Sequence, residues 1–235
     1  MDRVEDVSDA WERNAEQWLA WARTPDHDAY HWRFNFPQFT QLLPDTARTV
    51  LDVGCGEGRV GRWLAARGHT VLGIDSSPTL TAAAREAGGY EEIVCGDAAC
   101  LPWPDNTFDL VIAYMSLHDM PNPEPVIGEI ARVLRPARPL AIAIVHPLNR
   151  PDEDLDRYFE TLRLHDAVTR GGLTMTFDGV DRPLSDYTTA LSRNGFVIDR
   201  LTEPRPSAAD CRAEPSLTSA FRRPFFLHIR CLQPR

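Results

Sequence analysis

Three stretches of the chain hold the residue types most able to do chemistry. The first is Leu51-Asp52-Val53-Gly54-Cys55-Gly56-Glu57-Gly58, which follows an apolar run and opens a helical pattern. Glycines let a backbone turn tightly and approach a ligand closely. Free amides at a helix start favour negative groups. Such a loop alone can be no more than a turn. The second feature, Asp75, closes the next apolar run 21 residues after Gly54. An acid about that far on accepts hydrogen bonds from ribose hydroxyls in nucleotide-binding βαβ units. Asp75 could also be a plain helix-capping acid beside Ser76 and Ser77, but the glycine loop before it favours ribose. The third set is histidine, the side chain that titrates near neutral pH and commonly serves as a general base. His118 follows the fourth apolar run, together with Tyr114 and Asp119. His146 ends the fifth, and His31 lies in the aromatic segment His-Trp-Arg-Phe with Arg33. The plainer roles are packing beside a ligand or capping a loop for His118, and a structural hydrogen bond for His146. Tyr187, on a later helix, faces either the pocket or the core.

Composition narrows the chemistry. The chain has 235 residues, 43% hydrophobic and 25% charged, as an ordinary globular protein of one large domain with a modest cap would. All 25 basic residues are arginine. With no lysine, a Schiff-base mechanism and a Walker-type phosphate loop both lose their key residue. The net charge of −9 argues against general nucleic-acid binding, which needs a basic face. The small clusters Arg132, Arg135, Arg138 and Arg222, Arg223 read as solvated surface. Five cysteines without CxxC spacing read as free thiols in a reducing compartment. Asp119 and the acids at 152–156 form no recognisable ligand set, so no metal site is expected. The acidic start lacks the apolar stretch of a signal peptide, and no run reaches the length of a membrane span. The expectation is a cytoplasmic protein, a monomer or a homodimer, with no membrane partner.

The elements that must hold these residues alternate. Apolar strand patterns cover residues 49–53, 70–74, 92–95, 108–114 and 140–145. Helical patterns fall at 60–67, 80–87 and 124–134. Strands alternating with helices imply parallel βαβ units, and the unbroken apolar run at 140–145 suits a sheet covered on both faces. Before them, residues 9–22 place Trp11, Ala15, Trp18 and Ala22 at helical spacing. After Pro147 the pattern loosens. A helix is expected at 155–165, an extended piece at 173–177, a helix at 184–193, strands at 196–201 and 225–231, and a loop over 203–219. The chain thus divides into an N-terminal helical lid (1–44), a cofactor-binding core (45–146), a substrate-capping insertion (147–183) and a C-terminal completion of the sheet (184–235).

The stretches LDVGCGEGR (51–59), GIDSSP (73–78), CGDAACLPWPDNTFDLVIAYMSLHDM (95–120) and LRPARPLAIAIVHP (134–147) together resemble the class I S-adenosylmethionine-dependent methyltransferases. The likeness is to the methyltransferase-11 and ubiquinone/menaquinone-biosynthesis type. The resemblance implies a Rossmann-like α/β fold with a seven-stranded, mostly parallel sheet of order 3-2-1-4-5-7-6 and an antiparallel last strand. It implies S-adenosyl-L-methionine as cofactor and S-adenosyl-L-homocysteine as product. Gly54, Cys55, Gly56 and Gly58 would line the methionine end, and Asp52 would orient the loop or meet the amino group. Asp75 would hold the ribose, Ser76 would lie beside the adenine, and Asp97 with the Ala98 amide would contact it. Tyr114 would touch cofactor or substrate. One departure is Ala137-Arg138, where the family usually has Gly-Gly. The aromatic lid favours an apolar or aromatic small-molecule acceptor, methylated on O, N or C. The alternatives are a cofactor-binding protein that catalyses another reaction such as a cyclisation, a cofactor-binding regulator, and a protein or RNA methyltransferase. The peptide-acceptor signature Asn-Pro-Pro-Tyr is absent where Tyr114-Met115-Ser116-Leu117 stands.

Overall fold

A computed structural model describes residues 7–46 and 48–233; the first six residues of the acidic N-terminus lie outside them. Among the described residues nine strands are present: β1 (Thr49–Val53), β2 (Thr70–Asp75), β3 (Glu92–Cys95), β4 (Leu110–Tyr114), β5 (Pro139–Val145), β6 (Leu162–Arg170), β7 (Leu173–Asp181), β8 (Val197–Thr202) and β9 (Phe226–Leu232). Seven form one sheet of order β3-β2-β1-β4-β5-β9-β8, while β6 and β7 pair only with each other. Leaving out that hairpin, the order is the expected 3-2-1-4-5-7-6. Strand β9 runs antiparallel to both its neighbours. Parallel pairing of Val53 with Ile74 and of Asp75 with Cys95 brings the ends of β1, β2 and β3 to one edge.

The sheet is covered on both faces, as its apolar strands require. Val50, Leu110, Ile112 and Ala141 pack under Phe36 and Phe39 of α3 (Phe36–Phe39) and the following Leu42, and under Val60 and Leu64 of α4 (Arg59–Ala65). Leu51, Val111, Ile142 and Ile144 face the other way. There they meet Val126, Ile127 and Ile130 of α6 (Pro123–Val133) and Leu191 of α7 (Leu184–Arg193). Each such side chain, fully buried, contributes about 1.5–3 kcal/mol through removal of apolar surface from water.

Outside the sheet the structure differs from the sequence reading in three places. The helix expected over 9–22 is two helices, α1 (Val7–Arg13) and α2 (Ala15–Arg23), meeting at Asn14. The Asn14 amide donates to Thr176 O (3.3 Å) and to Asp178 (2.9 Å) on β7. The helix expected over 155–165 is instead a 3-10 turn at Asp152–Arg157 followed by β6. Arg170 pairs with Leu173 across Gly171-Gly172, whose φ angles are 55° and 81°. Two consecutive residues of positive φ make the two-residue turn that matches strand twist, so the glycine pair dictates a hairpin. The loop expected at 203–219 contains α8 (Ala208–Ala213), started by a capping box between Ser207 and Asp210, and the beginning of α9 (Thr218–Arg222).

Candidate functional site

Beyond the carboxyl ends of β1–β5 lies one cavity of ≈1590 Å³. Its floor is the loop after β1. The amides of Gly54 and Cys55 both donate to Ile74 O, at 2.8 and 3.0 Å, which ties the loop to β2. Gly54 has φ +70°, and a Cβ there would lie 2.3 Å from the Ser116 Cβ. Gly56 has φ +53°, and its Cβ would meet only the Trp18 indole nitrogen, at 3.9 Å across open space. Asp75 is fastened as the loop's acceptor, taking the Gly56 amide at 2.8 Å and the Ser77 amide at 2.9 Å. Two amides leave further lone-pair positions on its carboxylate. Burial pushes the Asp75 carboxyl up, against those two hydrogen bonds. Asp97 accepts the Ala99 amide at 2.8 Å.

Asp52, at the centre of the floor, is 2% exposed. Burial raises its carboxyl to about 7, with the Tyr90 hydrogen bond opposing and the Asp75 charge adding. Tyr90 is a residue the sequence reading missed. Its hydroxyl donates to Asp52 Oδ2 at 2.7 Å and accepts the Gly61 amide at 3.1 Å. Its ring fills the space that side chains at Gly61 and Gly73 would need. Those two glycines, one on α4 and one on β2, were its signal in the sequence.

Asp52, Gly54, Cys55, Gly56, Asp75, Ser76, Asp97, Ala98 and Tyr114 all line the cavity, as do His31 and His118. Gly58 and His146 are not among the lining residues, contrary to expectation. Gly58 begins α4 at φ +87° and packs towards Tyr90, Ala84 and Arg62. His146 Nδ1 accepts the Leu148 amide at 3.0 Å, so Nε2 carries the proton towards Glu203, at 3.1 Å. Its role is to hold the chain after β5.

Burial holds the two cavity histidines in their neutral form. His31 sits in a π-helical turn, His31–Asn35, which turns both of its end residues inward. Its ring bonds the Tyr114 hydroxyl at 3.0 Å and stacks on Phe36. Burial and the Arg59 charge lower it to about 3, against Asp28. Burial and the Arg182 charge lower His118 equally to about 3. Arg182, also missed, donates to the carbonyls of His118, Met120 and Pro121 at 3.2, 2.6 and 2.7 Å. It thereby ties the end of the hairpin segment to the turn after β4.

The roof comes from α1, α2 and the hairpin. Glu12 of α1 accepts from the hydroxyls of Ser77 and Thr79 at the start of α5 (Pro78–Ala87). Trp18 meets Trp11 and Phe177 edge to face, and Arg59 stacks over the Trp18 ring. Gln17 takes the Thr176 amide at 3.0 Å. His27 meets Arg170 O at 3.0 Å. Among the described residues no group of three or more His, Cys, Asp or Glu converges as a metal site, and no helix is long and apolar enough to cross a membrane. The arginines of the 132–138 cluster are paired with Glu129, Asp105 and Asp109.

Comparison with known proteins agrees with this geometry. Residues 51–142 match the model of the methyltransferase domain family, methyltransferase-11. Methyltransferase GfsG of Streptomyces halstedii is 44% identical over 172 residues, covering 70% of this chain and 58% of that protein. A rice protein (Oryza sativa subsp. japonica) named "Probable tocopherol O-methyltransferase, chloroplastic" is 36% identical over 124 residues, 48% of this chain and 34% of that protein. The chain therefore spans less than two thirds of the curated relatives it matches. The crystal structure of an S-adenosylmethionine-dependent methyltransferase from Mesorhizobium loti superposes with a TM-score of 0.65 at 26% identity, covering 83% of this chain and 96% of that one. Strand order, the glycine loop with its acid on β2, and these likenesses agree: residues 51–142 carry a domain of the methyltransferase-11 family, on the fold shared by class I S-adenosylmethionine-dependent methyltransferases.

Proposed function

We propose that the protein transfers the methyl group of S-adenosyl-L-methionine to a small, largely apolar acceptor, releasing S-adenosyl-L-homocysteine. The observation that carries this reading is the single cavity shared by the loop after β1 and the aromatic roof. Its ≈1590 Å³ exceeds the ~300–1,000 Å³ of a typical single-ligand pocket, which leaves room for a cofactor and an acceptor together. The cofactor fits the residues present. The Gly56 position opens into the cavity where a side chain would intrude, and Asp52, Asp75 and Asp97 form an acidic lining suited to a cationic ligand with ribose hydroxyls.

In this reading Asp75 holds the ribose with its spare lone pairs, and Asp97 and the Ala98 amide hold the adenine, with Ser76 beside it. Gly54, Cys55 and Gly56 make room for the methionine end, and Asp52 faces its amino group. Tyr114, fixed by His31, forms the wall where cofactor and acceptor meet. The bound cofactor supplies an already activated methyl, so the protein contributes mainly proximity and alignment. The roof excludes water and supplies apolar contact: Trp11, Trp18, Trp21 and Phe177 all line the cavity. A hydrophobic acceptor is further supported by the rice relative's name, which gives tocopherol as that protein's substrate.

The test is incubation with methyl-labelled cofactor and a size-fractionated cell extract. Label in the fraction below peptide size is the expected result. Label in protein or RNA, or a rearranged small molecule that carries no label while the cofactor stays intact, would overturn it.

A further inference from the structure

The reading above leaves open which group meets the acceptor's reacting atom. His146 lies outside the cavity lining. His31 is held by Tyr114. His118 is wedged beside the buried Arg182. Next to His118 stands Asp119, at the end of the one-turn segment Leu117–Asp119 after β4.

Asp119 lines the cavity, with 12% of its side chain exposed. Among the described residues its carboxyl has no hydrogen-bonded partner. His118 Nε2 stands 3.5 Å from its Oδ1. The Trp11 indole N–H faces the same carboxyl without reaching hydrogen-bond geometry, and neither it nor His118 Nδ1 has a partner, although both are buried. Gly179 on β7 leaves the carboxyl its space, since a Cβ there would lie 2.8 Å from Oδ1. Buried polar groups are almost always hydrogen-bonded. Two unsatisfied buried nitrogens beside a carboxyl that lines the same cavity point to a polar ligand group that completes them.

We propose that the Asp119 carboxylate receives the proton of a hydroxyl nucleophile, so that the acceptor is an alcohol or phenol methylated on oxygen. This deepens the methyltransferase reading and rests on it. The balance is simple. An oxygen lone pair forms the O–CH3 bond, the electron pair of the breaking C–S bond stays on sulfur, and the hydroxyl proton passes to the carboxylate. An amine can keep its extra proton after methylation and shed it to water later. An ether oxygen holds a proton very poorly, so a hydroxyl acceptor needs a base in place. The groups facing Asp119 are His118 and Arg182, Asp178 from β7 and Asp75 from β2. Burial first, then the two neighbouring acids, push the Asp119 carboxyl well up, against Arg182 and the Trp11 indole. A carboxylate made more basic in this way is a better-matched proton acceptor near neutral pH.

Binding of 2-naphthol and of 2-methoxynaphthalene, measured by calorimetry with and without S-adenosyl-L-homocysteine, tests the proposal. The wild type is expected to prefer the hydroxyl probe about 10-fold or more, the effect of one hydrogen bond to a charged group. Asp119→Leu should abolish that preference and change homocysteine-cofactor affinity less than about twofold. Asp119→Asn should keep part of the preference yet slow labelled transfer to the small-molecule extract about 100-fold or more. Equal affinity for the two probes in the wild type overturns the proposal, as does a preference that survives in D119L. Failure of the homocysteine cofactor to bind the wild type would instead break the cofactor reading.

Discussion

The two halves of the cavity are built by different means. The cofactor half is made of backbone. Gly54, Cys55 and Gly56 bond Ile74 and Asp75, and every partner lies within about one βαβ unit. The acceptor half is made of side chains from distant segments. Asn14 reaches Asp178 across 164 positions, and His31 reaches Tyr114 across 83. The first half needs particular backbone angles, which few residue types supply. The second needs only complementary surfaces, which many sequences supply. The first suits a ligand shared by a whole family, and the second suits one that varies between members.

Substitutions on the floor should give the largest effects. Asp75→Ala removes the acceptor for the Gly56 and Ser77 amides as well as the ribose contact. Cofactor affinity should fall about 10- to 100-fold by calorimetry. Gly54 and Gly56 then separate packing from binding. Alanine at 54 combines an unfavourable φ with overlap on Ser116, for a loss of about 3 kcal/mol in denaturant unfolding. Alanine at 56 meets no protein atom closer than 3.9 Å. It should cost about 1 kcal/mol in stability while still reducing cofactor affinity. Equal stability losses at the two positions would erase the distinction between a packing glycine and a ligand glycine.

A pH effect of intermediate size should arise at Asp52. The native carboxyl keeps its proton up to about 7, whereas a free side chain releases it near 3.8. Folding is therefore opposed progressively as pH rises through that interval, and the penalty is constant above it. A cationic amino group near Asp52 needs the charged form, so cofactor affinity should rise with pH through about 7. Asp52→Asn should flatten that rise. His31 and His118, lowered to about 3, should contribute no inflection near 6.5. An inflection near 6.5 that vanishes in a His118→Gln variant would reverse the assignment of these histidines as neutral wall residues.

The same contrast explains what could be read from the sequence. Strands with unbroken apolar runs, such as Pro139–Val145, admit few alternatives, and the glycine loop announces positive φ. The hairpin was hidden because the residues of Leu162–Arg170 carry mixed polarity on both faces. Most of that strand is exposed, so no burial pattern marks it. Its second strand was legible as the extended piece at 173–177, and Gly171-Gly172 marks the turn before it. Gly58 starts a helix against a tyrosine, a position that spacing alone does not distinguish from one beside a ligand. The histidines stood out by type, yet their usefulness depends on burial and on Arg182, which is 64 positions from His118.

The roof offers a smaller test. Asn14→Ala removes two hydrogen bonds to β7 and nothing on the floor. A loss of about 1 kcal/mol in local stability should speed amide exchange over Leu173–Asp181 about fivefold. Cofactor affinity should change less than about twofold. A large change would mean that the two halves are coupled.

The smallest effect is expected far from both halves, at the turn before β5. Ala137 has φ +59°, a left-handed conformation that costs a side-chain-bearing residue roughly 1 kcal/mol. The turn bears neither floor nor roof, and Arg135 and Arg138 beside it pair with Asp109 on the sheet's opposite edge. Glycine at 137 relieves the native strain but adds freedom to the unfolded chain, which takes back part of the gain. Ala137→Gly should therefore raise stability by about 0.5–1 kcal/mol, read as a shift of roughly 1–4 °C in the melting temperature. Binding of cofactor and acceptor should not move. If affinity changed with it, strain at the base of β5 would be reaching Tyr114 through the Tyr114–Ala143 pairing, and the cavity could not be treated as resting on a rigid sheet.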